Sequence, residues 1–181
     1  APVPASERAD LHDREAYWLE DWARLAGPGA VDDQVRFGRE WGALRAYAAE
    51  RGVRIMGDIP FYVAPGAADV LAHPALFRED LVAGVPPDAF TDDGQLWGNP
   101  TYDWDAMAAD GDRWWIARLA RGADLHDCLR IDHFRAFASW WAVPRGARTA
   151  REGEWLPGPH GRIITAARAA LGPLSLVAED L

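Results

Sequence analysis

The 181-residue sequence has a single cysteine and no lysine. One thiol, Cys128, cannot form an internal disulfide, so we expect a reducing, cytoplasmic setting. A transmembrane helix needs about 20 consecutive apolar residues, and no stretch of the sequence approaches that length. The N-terminal residues also lack a basic stretch followed by an apolar run, so no signal peptide is predicted.

Positive charge is scarce as well. All 19 basic residues are arginine, against 28 acidic residues, and the net charge is −9. An acidic chain without a basic cluster binds nucleic acid and anionic lipid poorly, so we expect neither nucleic acid nor membrane as a partner. The five histidines and the one cysteine are not grouped at the spacing of a zinc site, and we predict neither metal nor cofactor.

Aromatic residues, by contrast, are abundant, and ten of them are tryptophan. A tryptophan side chain offers a flat apolar face and one N–H donor. Ten such side chains indicate either a heavily aromatic core or a surface that stacks on flat ligands such as sugar rings. The length fits one domain, and an apolar share of 49% is ordinary for a globular protein.

Hydrophobic periodicity predicts an α/β chain. The predicted helices cover residues 7–25, 33–51, 67–73, 110–123 and 162–171, and the predicted strands cover residues 53–58, 127–132 and 174–179. Strands that alternate with helices form a parallel sheet with right-handed crossovers. From Pro60 to Asp105 we expect a long aromatic loop region with little regular structure besides the short helix. Residues 132–162 are predicted to be a mixed loop region.

Some of the aromatic and sulfur-bearing residues fit the core of this fold. Trp114 and Trp115 lie on a predicted helix and are expected in the core. Cys128 lies on a predicted strand and is expected to be a buried small hydrophobe. For the pair Trp140 and Trp141, which follows the same strand, the sequence leaves open whether the side chains belong to the core or to a sugar-binding surface.

Each of the three predicted strands ends in an acidic residue, namely Asp58, Asp132 and Glu179. Ligands of parallel α/β folds bind at this end of the strands. One such acid could equally cap a helix or begin a turn, but three in series beside aromatic loops favour a functional site. Retaining glycosidases use one carboxylate as nucleophile and one carboxylic acid as proton donor. Arg130 would share a strand face with Asp132 and keep it ionised.

Long motifs in the same regions resemble amylomaltase, the 4-alpha-glucanotransferase of glycoside hydrolase family 77 in the alpha-amylase clan. The motifs are REAYWLEDWARL (14–25), GDIPFYVA (57–64), VPPDAFTDDGQLWGNPTYDWD (85–105), LRIDHFRAF (129–137) and AEDL (178–181). The resemblance implies an α/β fold that is part of a (β/α)8 TIM-type barrel, about strands three to five, with inserted helices and long aromatic loops.

The resemblance also implies roles for individual residues. Asp132 matches the catalytic nucleophile, Glu179 the general acid/base, and Arg130 the arginine that positions the nucleophile and keeps it ionised. The matches to substrate-binding positions are Asp58, Asp88, Phe90, Gln95, Trp97, Asn99 and His133. Phe90, Trp97 and Tyr102 are expected to stack on the acceptor glucan and to exclude water.

The function implied is transfer of alpha-1,4-glucan segments between maltodextrins by a retaining double displacement. Its partners would be maltose, maltodextrins and amylose. A hydrolytic relative in the alpha-amylase clan and a non-catalytic glucan-binding fragment are the alternatives.

The length of the chain and its set of motifs indicate how much of a barrel it contains. The family's His-Asp motif with the third catalytic carboxylate has no match here, and a complete barrel takes about 250 residues. We therefore expect residues 1–181 to form one partial catalytic barrel domain that is inactive alone. Within it we expect a helical insertion region at 1–32 and an active-site loop region at 59–105.

Overall fold

The computed structural model describes residues 2–179, so Asp180 and Leu181 of the AEDL motif lie outside the described residues. The chain divides into two compact units, Ala1–Ile55 and Met56–Leu181. None of the helices along residues 2–179 is both long enough and apolar enough to cross a membrane.

The first unit consists of three helices, α1 (Ala5–Arg14), α2 (Leu19–Ala26) and α3 (Ala30–Ala49). Their shared core is made of Val3, Leu11, Leu19 and Val35. The prediction of one helix over residues 7–25 is wrong, because the chain leaves the helical conformation at Glu15. There the Trp18 indole N–H donates to the Glu15 carboxylate at 2.6 Å, which closes a turn between α1 and α2. Helix α3 confirms the second predicted helix and begins three residues earlier.

The second unit contains a three-stranded parallel sheet and a four-stranded antiparallel sheet. The parallel sheet has the order β1 (Met56–Ile59), β4 (Cys128–Ile131), β7 (Leu176–Ala178). The antiparallel sheet has the order β3 (Gln95–Tyr102), β2 (Phe77–Val85), β5 (Ser139–Pro144), β6 (Glu154–Pro157). Four helices belong to this unit: α4 (Ala68–Ala72), α5 (Trp104–Ala109), α6 (Arg113–Leu125) and α7 (Arg162–Leu171).

The parallel α/β organisation, its three strands and the helices α4, α6 and α7 confirm the sequence prediction. The antiparallel sheet has no counterpart in the prediction, and the expectation of little regular structure from Pro60 to Asp105 is wrong. Strand β2 carries two register shifts, between Arg78 and Val82 and between Val82 and Gly84. Such bulges interrupt the alternation of apolar and polar residues by which a strand is recognised in a sequence.

One face of the parallel sheet is covered and the other is open. Ile59 and Leu129 are buried, and helix α6 approaches them so closely that a Cβ at Gly122 would lie 3.0 Å from each. On the opposite face Met56 is 57% exposed and Val177 is 43% exposed. The alternation of side chains along each strand thus divides the sheet into a packed face and an accessible face.

The core of the second unit is aromatic. Phe61 lies at its centre, with ring centroids within 6.2 Å of Tyr62, Tyr102, Trp104, Trp115 and Phe137. Burial of Trp114 and Trp115 confirms their predicted place in the core.

The expectations for Tyr102 and Cys128 differ from what the structure shows. Tyr102 is 1% exposed, so the expectation that it stacks on glucan is wrong. Its hydroxyl donates to the carbonyl of Phe61, which makes it part of the core instead. Trp140 is buried, and Trp141 is half-buried with its indole N–H donating to Ala150 at 2.8 Å. Cys128 is half-buried rather than buried, because it lies on the accessible face of the parallel sheet.

Candidate active site

The acidic residues at the ends of the parallel strands lie on the accessible face of the sheet. Asp58 pairs in register with Arg130, and Arg130 pairs in register with Val177. Residues in register on neighbouring strands share a face, and so do residues two positions apart. Asp132 and Glu179 follow Arg130 and Val177 by two positions, so the alternation predicts that all four polar residues lie on the same side.

Arg130 connects two of the carboxylates. Its Nη1 lies 2.8 Å and 2.9 Å from the two carboxylate oxygens of Asp58, and its Nη2 donates to Oδ1 of Asp132 at 2.8 Å. These hydrogen bonds raise the pKa of the Arg130 guanidinium, and the hydrogen bond to Asp58 has the largest effect. The side chains are 30% exposed for Arg130, 62% for Asp58 and 46% for Asp132, so an incoming ligand has access to both carboxylates.

Glu179 is held against the residue that follows the nucleophile candidate. The main-chain N–H of His133 donates to Oε2 of Glu179 at 2.8 Å. The main-chain N–H of Asp132 donates to the carbonyl of Ile59 at 2.9 Å, which ties the other side of the same turn to β1. Strand β4 therefore carries Asp132 between its two neighbours, and the three strand ends are connected at one edge.

The His133 side chain lies among aromatic rings. Its ring centroid is 5.0 Å from that of Trp97, 6.2 Å from Tyr62 and 6.4 Å from Phe61. Burial lowers the pKa of the imidazole, and Arg135 adds to the effect. Within residues 2–179, the buried Nε2 atom has no hydrogen-bond partner. The imidazole is therefore neutral at pH 7 and keeps one nitrogen for a further contact.

The loop between β2 and β3 is organised by Asp88. Its Oδ1 accepts hydrogen bonds from the main-chain N–H groups of Phe90 and Thr91, at 2.8 Å and 2.9 Å. Such a turn, closed by an aspartate side chain, fixes the backbone of a short segment. It presents Phe90 with its side chain 97% exposed, at the tip of the loop. Asp88 thus shapes the loop and is not itself in contact with the other acids among the described contacts.

The other loop residues connect to the site in steps. The Trp97 indole N–H donates to Oε1 of Gln95 at 3.1 Å, and the ring of Trp97 contacts His133. Asn99 donates through Nδ2 to the carbonyl of Val63 at 2.9 Å, in the segment that follows Asp58. The structure therefore brings together most predicted site residues and leaves Asp88 and Phe90 at the loop tip.

Sequence reasoning missed two kinds of residue. Phe61 and Tyr62 support the His133 ring, although the GDIPFYVA motif contains both of them. Arg118 donates to the carbonyl of Phe61 at 3.1 Å and to that of Pro60 at 2.6 Å, and so fixes the segment after Asp58. Helix α6 carries three arginines, Arg113, Arg118 and Arg121, and the sequence does not distinguish Arg118 from the other two.

A metal site is not formed by these side chains. Among the described residues, no three histidine, cysteine, aspartate or glutamate side chains are placed so that they could hold a metal ion. The side chains at the site are carboxylates beside an arginine, and the ring of Trp97 lies against that of His133.

Comparison with known proteins gives one family. The family model described as 4-alpha-glucanotransferase matches residues 33–181. A 4-alpha-glucanotransferase from Streptococcus pneumoniae is 43% identical over 182 residues, which cover 96% of this chain and 36% of that protein. This chain thus spans about a third of the length of that relative.

Solved structures agree with the sequence comparison. An amylomaltase from Streptococcus agalactiae in complex with acarbose has a TM-score of 0.78 at 32% identity, covering 97% of this chain and 41% of that one. An amylomaltase from Corynebacterium glutamicum has a TM-score of 0.88 at 22% identity, covering 99% and 29%, and supports the fold. The chain belongs to glycoside hydrolase family 77, the family of the 4-alpha-glucanotransferases.

Proposed function

We propose that this chain contributes the nucleophile and the general acid/base of a 4-alpha-glucanotransferase that acts on alpha-1,4-glucans. The observation that carries the proposal is the bridge by which Arg130 joins Asp58 to Asp132, with Glu179 on the adjoining strand at the same edge. Membership of the family supports the reaction class, and the acarbose bound to the solved relative supports a sugar-like ligand.

In this proposal Asp132 attacks the anomeric carbon, and Glu179 donates a proton to the departing glycosidic oxygen. A covalent glycosyl ester forms on Asp132. Glu179 then takes the proton of the acceptor's 4-hydroxyl, whose oxygen displaces Asp132 from the anomeric carbon. Two inversions give net retention. Arg130 holds Asp132 in position through the hydrogen bond to Oδ1, and it holds Asp58 at the neighbouring sugar position.

The aromatic residues would favour an acceptor sugar over water. Phe90 projects from the loop tip and offers an apolar face to a glucan ring. Trp97 and His133 are in contact and are proposed to line the sugar site with Gln95, Asn99 and Asp88, the last acting through the shape of the loop. Exclusion of water from the glycosyl-enzyme would favour transfer over hydrolysis.

We also propose that β1, β4 and β7 are neighbouring strands of a (β/α)8 barrel, about the third to the fifth. Their parallel order and helix α6 on one face support this, and so does the exposure of Met56 and Val177 on the other. The helical insertion region at 1–32 and the active-site loop region at 59–105 belong to the same proposal. Cys128, as the single cysteine, fits a cytoplasmic location.

The test compares variants of the gene product that contains this chain. Purified protein is incubated with maltotriose, and free glucose and longer maltodextrins are followed by chromatography. We expect Asp132→Asn to lose at least about a thousandfold in transfer rate, because removing a covalent nucleophile removes most of the chemical acceleration.

Asp33→Asn is the matched control, since it makes the same chemical change at a surface ion pair with Arg36 and should keep full activity. Substantial transfer by Asp132→Asn would overturn the assignment. Products dominated by glucose, without longer maltodextrins, would identify a hydrolase instead. Binding of maltodextrin without turnover by the unchanged protein would identify a binding module.

A further inference from the structure

The ladder between β4 and β7 contains an irregularity next to the site. Ile131 pairs with Ala178, and the N–H of Glu179 donates to the carbonyl of Ile131 at 3.1 Å. In a parallel ladder of this register, the next hydrogen bond would run from the N–H of His133 to the carbonyl of Glu179. The N–H of Phe134 makes that hydrogen bond instead, at 2.9 Å. One residue has been inserted into the ladder.

The inserted residue has a left-handed backbone conformation. His133 has φ 48° and ψ 43°, a region that residues with a Cβ rarely adopt and β-branched residues avoid. This conformation turns the N–H of His133 out of the ladder and onto Oε2 of Glu179 at 2.8 Å. Unfavourable backbone conformations of this kind persist only where the surroundings hold them, and they cluster at functional sites.

We propose that the left-handed turn at His133 is a positioning device for Glu179, in which the main-chain N–H released from the ladder holds Oε2 and leaves Oε1 to carry the transferred proton. The inference rests on the proposed role of Glu179 as acid/base. The hydrogen bond from the His133 N–H is made to Oε2 of Glu179 at 2.8 Å. His133 in this sense is a positioning residue, which acts through Glu179.

The proton balance follows from this arrangement. In the first step the proton on Oε1 passes to the glycosidic oxygen, which keeps the electron pair of the breaking bond to the anomeric carbon, while Asp132 forms the ester. In the second step the acceptor hydroxyl returns a proton to Oε1 as its oxygen displaces Asp132. Oε2 stays on the His133 N–H throughout, so the carboxyl group does not rotate between the steps.

The main chain and the side chain of His133 have separate partners, and variants can separate them. The main chain contacts Glu179, whereas the imidazole lies among Phe61, Tyr62 and Trp97. His133→Gly removes the imidazole and keeps the left-handed conformation accessible. His133→Ala removes the same imidazole but disfavours that conformation, and His133→Val disfavours it further. The glycine and alanine variants are therefore matched for the side-chain loss.

The assay uses two donors on the gene product that contains this chain. Maltotriose needs a proton from the acid/base to release its leaving group, whereas alpha-maltosyl fluoride does not. Azide is added with the fluoride donor, because it displaces the nucleophile without a general base. We expect His133→Val to lose at least about tenfold in kcat with maltotriose, a part of the 10²–10⁴ that general acid–base catalysis supplies.

With fluoride and azide the same variant should lose at least about threefold less than it does with maltotriose, because neither step then needs Glu179; the loss common to both donors reflects the missing imidazole. His133→Gly loses the imidazole that the proposed function places at the sugar site, so activity should fall with both donors. The ratio of its maltotriose rate to its fluoride rate should stay within about threefold of that of the unchanged protein. His133→Ala should lose more kcat than His133→Gly, and this pair carries the test if His133→Val does not fold.

Two results would overturn the inference. Equal losses with both donors would mean that the turn is merely structural. An equal loss of kcat in His133→Gly and His133→Ala would mean that the imidazole, and not the main chain, is responsible. Failure of the proposed function itself is a different result, in which the unchanged protein gives no transfer products or Glu179→Gln keeps the maltotriose rate.

Discussion

Gly57 has no room for a side chain, and replacing it with alanine tests how the strand that carries Asp58 is held. A Cβ at Gly57 would lie 2.4 Å from Nδ1, 2.6 Å from Cγ and 2.7 Å from Cε1 of His126. Ordinary contact begins at 3.4 Å, so the ring would have to withdraw by about 1 Å. The Nδ1 atom is already held at 3.0 Å from the carbonyl of Gly122, and Cγ is the root of the ring. Neither atom withdraws without moving the backbone.

The expected loss of stability follows from two opposing effects. Overpacking of a filled site costs about 1–3 kcal/mol. Replacing glycine by alanine also restricts the unfolded chain, which returns about 0.4–1 kcal/mol. We therefore expect Gly57→Ala to lower the free energy of unfolding by roughly 1–2 kcal/mol.

Urea unfolding followed by tryptophan fluorescence measures this loss. With an m-value of about 2–3 kcal/mol per molar, the midpoint should fall by roughly 0.3–1 M. Gly66→Ala is the control, because a Cβ there meets no atom within 4 Å, and its midpoint should be unchanged or slightly higher. In a His126→Ala background most of the penalty should disappear, since the clashing ring is gone. A Gly57→Ala midpoint equal to that of the unchanged protein would refute the steric reasoning.

Three further outcomes follow from the second unit. Phe90→Ala should raise KM for maltodextrins and leave the urea midpoint unchanged, because the side chain is 97% exposed; a lower midpoint would contradict this. Arg162→Met should lower the free energy of unfolding by roughly 2–4 kcal/mol in urea titrations, because it leaves the 6% exposed Asp112 carboxylate without its cation. Burial lowers the pKa of His133, so the unfolded chain binds the proton more readily, and stability should fall as pH drops through about 6.5. His133→Asn should reduce that slope, and an unchanged slope would show that another group causes it.

Most of the parallel sheet could be predicted from local sequence signals. Each predicted strand is short and ends in an acidic residue, and the predicted helices between the strands are amphipathic. Because parallel strands end at one edge, Asp58, Asp132 and Glu179 could be grouped without knowledge of the register. The contact of Arg130 with Asp132 also followed from their two-residue spacing, whereas its hydrogen bonds to Asp58 did not. These inferences needed only the period of a strand and the direction of the chain.

Features that depend on distant partners could not be predicted in the same way. Strands β2 and β5 pair across more than 50 residues, and Gly84 faces Trp141 in that register. The two register shifts in β2 hide its alternation. Tyr102 illustrates a related difficulty, since an aromatic residue in a loop motif was expected at the surface. Its position is set by Phe61, 41 residues earlier, whose carbonyl accepts its hydroxyl proton.

The insertion at His133 could not be predicted from the sequence either, because no residue pattern indicates a single shifted hydrogen bond. Histidine is one of the residues that tolerates the left-handed conformation better than most, so the sequence permits the turn without requiring it. Only the register of β4 against β7 shows that the N–H of Phe134 has taken the position expected for His133. The functional consequence for Glu179 therefore becomes visible at the level of individual backbone hydrogen bonds.

Three arginines of the second unit make contacts that a lysine in their place could not make. Arg118, Arg130 and Arg162 each place the two arms of the guanidinium on acceptors from different residues. Each of them has at least one partner far away in the sequence, 57 residues for Arg118 to Phe61 and 72 residues for Arg130 to Asp58. A lysine ammonium is a point charge on a flexible stem and does not present a rigid fork to two acceptors at once. The guanidinium at Arg130 therefore sets both the charge at the site and the separation of its two carboxylates, and these two contributions cannot be exchanged for those of another cation.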